Sequence, residues 1–231
     1  MKKPYISGII VAAGDGTRMG GVIKPLLSFS DKSFLEIVLE QFCLSKIIDE
    51  IVVVSKDIKE IKDIIAKYSQ LKSIVFTTGG QTRQESVYKG VSKTSNKTQF
   101  IMIHDCARPF IDDEIIYESF ENAKKSGASC ISKPVTDTIK YQSNNEIKTP
   151  NRDKLFAVET PQTFLKDMYL SSYALAISKN LNFTDETSLV EMAGFHVEYF
   201  LSDKFNMKIT TTVDYEIAKF IYEMRGKSNE L

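Results

Sequence analysis

Ile6-Ser-Gly-Ile-Ile-Val-Ala-Ala-Gly-Asp-Gly-Thr-Arg-Met-Gly-Gly21, followed by Lys24, is the stretch that decides the fold. Its first half is a short apolar run rich in β-branched residues, and it ends abruptly at glycines. Such a run reads as a strand buried on both faces, the mark of a parallel sheet. Its second half is a glycine-rich loop, which lets backbone N–H groups approach phosphate oxygens with no Cβ in the way. The dinucleotide fingerprint does not fit, because the third glycine comes one residue late and Arg18 sits inside the loop. The P-loop does not fit either, since Val22 follows Gly21 where Lys-Ser/Thr is required. What remains is a glycine loop carrying two cations, Arg18 and Lys24, which suits a polyphosphate whose charge shifts during reaction. The competing reading is a plain strand–helix connector with solvated basic residues.

Outward from this loop the pattern repeats. Ile51–Ser55, Ser73–Thr77 and Phe100–His104 are further apolar runs of strand length. Phe34, Leu35, Val38, Leu39 and Phe42 fall at helical spacing, as do Ile58, Ile61, Ile64 and Ile65. Asp112 is placed to cap a helix over 113–126 that Gly127 stops. Strands alternating with helices predict an α/β fold, a doubly wound and mostly parallel sheet. After residue 135 the rhythm changes. Residues 138–142 and 146–149 predict a hairpin across a polar turn, and Leu155–Glu159 a strand. The segment 136–160 is too small and polar to bury a core of its own, so it reads as a projecting arm that packs on something else. Helices are expected near 165–178, 185–193 and 213–225, with strands near 195–201 and 207–211. No linker or repeat divides the chain, which reads as a single domain over 1–231.

The chain has 231 residues, 30 basic and 30 acidic. A zero formal charge argues against nucleic-acid binding through a broad basic surface. No apolar run approaches bilayer length, and the basic start lacks a signal-peptide pattern. Three widely spaced cysteines, Cys43, Cys106 and Cys130, form neither a metal pattern nor a disulfide framework, so a reducing cytoplasm is the expected location.

Three further clusters carry chemistry. His104-Asp-Cys-Ala-Arg-Pro109 follows the fourth strand, where open α/β sheets place ligands. Asp105 there can hold Mg²⁺ against phosphate, or merely cap a turn. Arg108 can brace the loop or reach an anion, whereas His104 and Cys106 read as packing residues. Gly79-Gly-Gln-Thr-Arg-Gln-Glu-Ser86 follows the third strand and can face a base or sugar, although a turn with an N-cap explains it equally well. Thr138, Arg152, Thr160, Thr184 and Lys208 each have an ordinary structural reading when taken singly.

In this order the motifs Ala-Ala-Gly-x-Gly-x-Arg-Met-Gly, Gly-Gly-x-x-Arg-x-x-Ser-Val, His-Asp-x-Ala-Arg-Pro, Asp-Thr-Ile-Lys, Thr-Pro-Gln-x-Phe, Thr-Asp-Glu and Asn-x-Lys-Ile-Thr-Thr resemble the 2-C-methyl-D-erythritol 4-phosphate cytidylyltransferases. The resemblance covers Ile9 to about Phe220. It implies a Rossmann-like nucleotidyltransferase fold, a β-arm that dimerises, CTP as substrate and Mg²⁺ as cofactor. The implied reaction joins CTP and methylerythritol phosphate into CDP-methylerythritol and pyrophosphate. Carried over, it implies nucleotide contacts at Ala12, Ala13 and Gly14, and triphosphate stabilisation by Arg18 and Lys24. It further implies cytosine and ribose recognition at Gly80, Gln81 and Ser86, and Mg²⁺ at Asp105. Arg108, Thr138, Arg152, Thr160, Thr184 and Lys208 match positions that handle the sugar phosphate. Two departures stand out. Lys24 lies six residues after Arg18 rather than seven, and Phe205 stands where some relatives have an acidic residue, with Asp203 two residues earlier. A ribitol-5-phosphate cytidylyltransferase is the near rival. A nucleotide-binding oxidoreductase and a non-catalytic nucleotide sensor are more distant ones.

Overall fold

The computed structural model describes residues 3–14, 24–56, 59, 61–144 and 146–228. Its eleven described strands are β1 (Ile6–Val11), β2 (Ser28–Phe29), β3 (Lys32–Ser33), β4 (Glu50–Ser55), β5 (Ser73–Thr78), β6 (Phe100–Asp105), β7 (Ala128–Pro134), β8 (Tyr141–Ser143), β9 (Glu146–Lys148), β10 (Phe156–Leu165) and β11 (Glu198–Leu201). The helices are α1 (Phe34–Leu44), α2 (Lys62–Tyr68), α3 (Arg83–Val91), α4 (Asp113–Ser126), α5 (Lys166–Ser178), α6 (Glu186–Met192) and α7 (Thr212–Ser228).

Seven strands form one sheet in the order β5-β4-β1-β6-β10-β7-β11. The pairs β4–β5, β1–β4, β1–β6 and β7–β11 are parallel, and β10 runs antiparallel to both neighbours. The expected mostly parallel α/β sheet is therefore present. Its two faces are buried separately. Ile6, Ile10, Ile51, Val53 and Met102 pack beneath α1 and α4 on one side, and Ile9, Val52, Val54, Ile101 and Ile103 pack beneath α3 and α5 on the other. The period-2 alternation of the strands puts successive residues on opposite faces, so both faces must be apolar. Asp112 caps α4 by accepting from Ile115 N at 2.8 Å, and Gly127 ends it at φ 87°.

Four expectations need correction. The segment 207–211 forms no strand: one main-chain bond, Ile209 N to Ala107 O at 2.8 Å, ties it to the turn after β6. Asp214 then collects the amides of Thr210 and Thr211 ahead of α7. The hairpin is shorter than its sequence pattern, pairing 141–143 with 146–148. The strand expected at 155–159 does not end in the arm but continues to Leu165 inside the main sheet. Its register shifts between Val158 and Gln162, around Pro161, which has no N–H to give a ladder; the Thr160–Pro161 peptide bond is cis. Finally, β7 is a strand that the sequence pattern does not announce. Its buried Ser129 and Ser132 break the apolar run that marks the other strands, yet the Ser129 hydroxyl is satisfied at 2.6 Å by Ser119 O.

Candidate active site

The parallel strands β1, β4, β5 and β6 all end at one edge of the sheet, and the motif clusters meet there. Ala12 N donates to Val54 O at 2.7 Å and Cys106 N to Val11 O at 3.0 Å, so the glycine loop leaves between β4 and β6. Gly79 donates to Ser55 O at 2.9 Å. A Cβ on Gly79 would stand 2.6 Å from the Ala13 Cβ, so the two loops touch backbone to side chain and only glycine fits. Gly14 is exposed beside them. Arg18 and the Lys24 side chain lie outside the described residues, so the charged end of this loop is known from the sequence alone.

The Gly79–Ser86 loop is built around its own serine. The Ser86 hydroxyl is buried, donates to Thr82 O at 2.9 Å and accepts from Gly80 N at 2.9 Å. Thr82 caps α3 by accepting from Glu85 N, and the Glu85 carboxylate takes the Gln81 amide at 2.7 Å. Ser86 thus holds the loop's shape.

Asp105, at the end of β6, is the electrostatic centre. It is 7% exposed, and its carboxylate meets Arg83 Nη2 at 3.0 Å on one oxygen and Lys208 Nζ on the other. Arg83 turns its other nitrogen to Glu186, at 2.7 Å from both carboxylate oxygens. Burial alone would push the Asp105 carboxyl up, but Arg83 and then Lys208 hold it far below the usual carboxylate range. Burial would likewise lower the Arg83 pKa, and Glu186 and Asp105 raise it instead. Burial pushes the Glu186 carboxyl up, against the pull of Arg83. Asp105 is therefore not the turn cap that was the alternative reading; it is a buried ion-pair carboxylate.

His104 is 0% exposed and accounts for the next layer. Its Nε2 lies 3.0 Å from Arg108 O and its Nδ1 3.1 Å from the Thr160 hydroxyl, which itself accepts from Asp105 N at 3.0 Å. A neutral ring with the proton on Nε2 satisfies every partner, and burial lowers the ring's pKa to about 4, which keeps it neutral. The expectation that His104 packs and hydrogen-bonds is met. Thr160 is engaged inside this chain. Arg108 is also braced: it is buried, donates to Asn206 O at 2.7 Å and lies 3.5 Å from Glu159. The Asn206 amide donates to Glu159 at 3.0 Å and to Thr160 O at 2.8 Å, joining the Asn-x-Lys segment to the strand-end cluster.

The remaining expected residues stand elsewhere. Thr184 is exposed, and the cap of α6 is Asp185, which accepts from Ser188 N at 3.0 Å. Thr138 and Arg152 lie on the exposed arm, where Arg152 donates to Thr136 O at 2.8 Å. Arg83, Glu186, Glu159 and Asn206 are site residues to which the sequence reading assigned no role. Arg83, Glu186 and Asn206 lie inside quoted motifs, and a charged residue fixed within a glycine loop or at a helix start was the available signal. Glu159 had none beyond adjacency to Thr160. Among the described residues no group of three or more His, Cys, Asp or Glu side chains is disposed to hold a metal ion.

Known proteins resemble this chain over nearly its whole length. A family model described as 2-C-methyl-D-erythritol 4-phosphate cytidylyltransferase matches residues 6–224. The chain belongs to that family. The protein of that name from Clostridioides difficile strain 630 is 39% identical over 226 residues, covering 96% of this chain and 95% of that one. The crystal structure of 4-diphosphocytidyl-2C-methyl-D-erythritol synthase from Anaerococcus prevotii superimposes with a TM-score of 0.84 at 28% identity, covering 96% of this chain and 97% of that one. The family's enzyme from Thermus thermophilus gives 0.75 at 27% identity, with 94% and 98% covered. A Rossmann-like cytidylyltransferase fold is thus common to the chain and its neighbours, and the family's members are nucleotidyltransferases.

Proposed function

We propose that the chain transfers CMP from CTP to 2-C-methyl-D-erythritol 4-phosphate, releasing pyrophosphate and CDP-methylerythritol for isoprenoid precursor synthesis. The observation that carries this is the family match over residues 6–224, with the segments 12–14, 79–86, 105–108 and 206–208 meeting at one sheet edge. The reaction needs one new bond, from an acceptor phosphate oxygen to the α-phosphorus of CTP, and the loss of the bond from that phosphorus to the β-phosphate oxygen. It demands in-line placement and charge neutralisation and no covalent nucleophile. Buried Cys106, whose thiol burial pushes well above the ordinary range, is suited to no nucleophilic role.

In this reading Ala13 and Gly14 receive the triphosphate with their amides, while Ala12, whose amide is given to Val54 O, fixes where the loop leaves the sheet against the nucleotide. Arg18 and Lys24 stabilise the charge that grows on the phosphates, and Lys208 adds a third cation. Gly80 and Gln81 face the cytosine and ribose, with Ser86 holding that loop in shape. Both oxygens of Asp105 are paired, one with Arg83 and one with Lys208, so Asp105 would hold Mg²⁺ only where Lys208 turns from it to phosphate. The ion's contribution there is neutralisation of phosphate charge. Arg108, Thr160 and Thr184 order the acceptor side, and Thr138 and Arg152 reach it from the arm of a second copy.

Support for that dimer is the arm's exposed apolar surface: Tyr141 is 60% exposed, Ile147 67% and Phe156 50%. Two-fold self-association is the commonest way to cover such a surface. A single domain spanning the chain and a cytoplasmic location complete the proposal, the latter because all three cysteines are free thiols, as a reducing compartment keeps them. No described helix is long and apolar enough to cross a membrane. The test is turnover with CTP and methylerythritol phosphate beside CTP with ribitol 5-phosphate and ATP with methylerythritol phosphate. Pyrophosphate release confined to the first mixture is expected. Equal rates with ribitol phosphate, or no turnover at all, would overturn the assignment.

A further inference from the structure

The first turn of α3 ties three parts of the site together. Gly79–Gln81 precedes it, Arg83 bridges Glu186 and Asp105, and the Gln84 carboxamide holds the loop before α6 by accepting from Phe183 N at 2.8 Å and donating to Leu181 O at 3.3 Å. Asp105 in turn pairs with Lys208. A carboxylate beside one cation alone would claim it fully. Here Arg83 occupies one oxygen of Asp105, and the almost fully buried Glu186, both of whose oxygens accept from Arg83 Nη1 at 2.7 Å, keeps the guanidinium from following a phosphate into the site.

We propose that Arg83, anchored by Glu186, is a positioning residue that shares the Asp105 carboxylate with Lys208 and so leaves the Lys208 ammonium available to substrate phosphate. This rests on the reading of the site as a cytidylyltransferase centre. Arg83 itself touches other side chains and acts through Asp105. Lysine keeps the charge but has no fork with which to hold Glu186 and Asp105 together.

Arg83→Lys should therefore lower kcat by about 10- to 100-fold while changing the KM for CTP far less, because a small displacement of a group that neutralises transition-state charge falls mainly on the chemical step. In a Lys208→Met background the same substitution should cost less than about 3-fold, since the group it positions is gone. Additive losses in the double variant would overturn the proposal. If Arg83→Lys does not fold, Arg83→Met with Glu186→Gln removes one charge of each sign from the buried network and takes its place in the cycle. A second measurement needs no turnover. Brief acetic anhydride labelling, read peptide by peptide, should acylate Lys208 about 3-fold more slowly in the Arg83 variant than in wild type, because Asp105 now holds the ammonium alone. An unchanged or faster rate would refute the sharing. Wild-type protein inactive on both substrates would instead refute the assigned reaction, with the labelling result still deciding the role of Arg83.

Discussion

Acid should loosen this protein through His104. The ring is fully buried, and burial lowers its pKa from 6.5 to about 4. The unfolded chain keeps the ordinary value, so between these two pH values it binds more protons than the folded one. The stability contributed by the neutral ring is fully present above about pH 6.5 and drains as the pH falls towards 4. Integrating that difference for one group from about pH 7.5 to about pH 5 gives a loss of about 2 kcal/mol. With an m-value of about 2 kcal/mol/M this moves a urea midpoint by roughly 1 M. His104→Gln keeps a nitrogen that can donate to Arg108 O and has nothing to titrate. It is expected to be less stable than wild type at neutral pH, since Thr160 loses its acceptor, but to lose about 2 kcal/mol less on acidification. The comparison is a double difference, wild type against variant at the two pH values, and carboxylates elsewhere cancel from it. Equal acid losses in the two proteins would refute the claim that a neutral, desolvated ring sits at this strand end.

Other consequences are testable with single substitutions. Asp105→Asn keeps the shape and removes the charge, and the Mg²⁺ concentration for half-maximal turnover should rise at least about tenfold while the thermal midpoint stays measurable; an unchanged titration would remove Asp105 from the metal. Gly79→Ala forces a methyl to within 2.6 Å of Ala13 and should raise the KM for CTP several-fold without unfolding the sheet, as steady-state kinetics beside circular dichroism would establish. Lys72 donates to Phe42 O, Ser45 O and Ile48 O at 3.0, 2.7 and 2.7 Å, closing the C-terminal end of α1, so Lys72→Met should cost about 2–3 kcal/mol in urea unfolding. Mixing Lys24→Ala with Arg152→Ala subunits should restore about a quarter of wild-type activity if each site borrows Arg152 from its partner; no recovery after verified exchange would confine the site to one chain.

The parallel core and its motifs were legible because their causes are local. A strand buried on both faces must be apolar along its length, and Ile6–Val11, Glu50–Ser55 and Phe100–Asp105 stand close to where their composition put them; Ser73–Thr78 is also a strand, but as the edge of the sheet it is only partly buried. The Asp112 cap and Gly127 stop of α4 were equally visible, each satisfying main-chain needs within four residues. The residues 207–211 illustrate the limit: a β-like composition makes a strand only where an edge is free to pair, and this stretch lies instead against the turn after β6. Strand β7 shows the converse, since its buried Ser129 and Ser132 look like surface until Ser119 O and Phe200 O supply the partners.

In the site the same division holds. The family was in the motifs themselves, as the match over residues 6–224 shows, and the glycine loop with its cations is the basis of the proposed phosphate binding. The roles of Arg83 and Glu186 were decided only by tertiary structure. Their positions in sequence are 103 residues apart, and nothing local tells a guanidinium on α3 that a carboxylate at the start of α6 will lie 2.7 Å away. A buried charge is tolerated only with its partner in place, and which partner that is depends on how α3, β6 and α6 pack at the sheet edge.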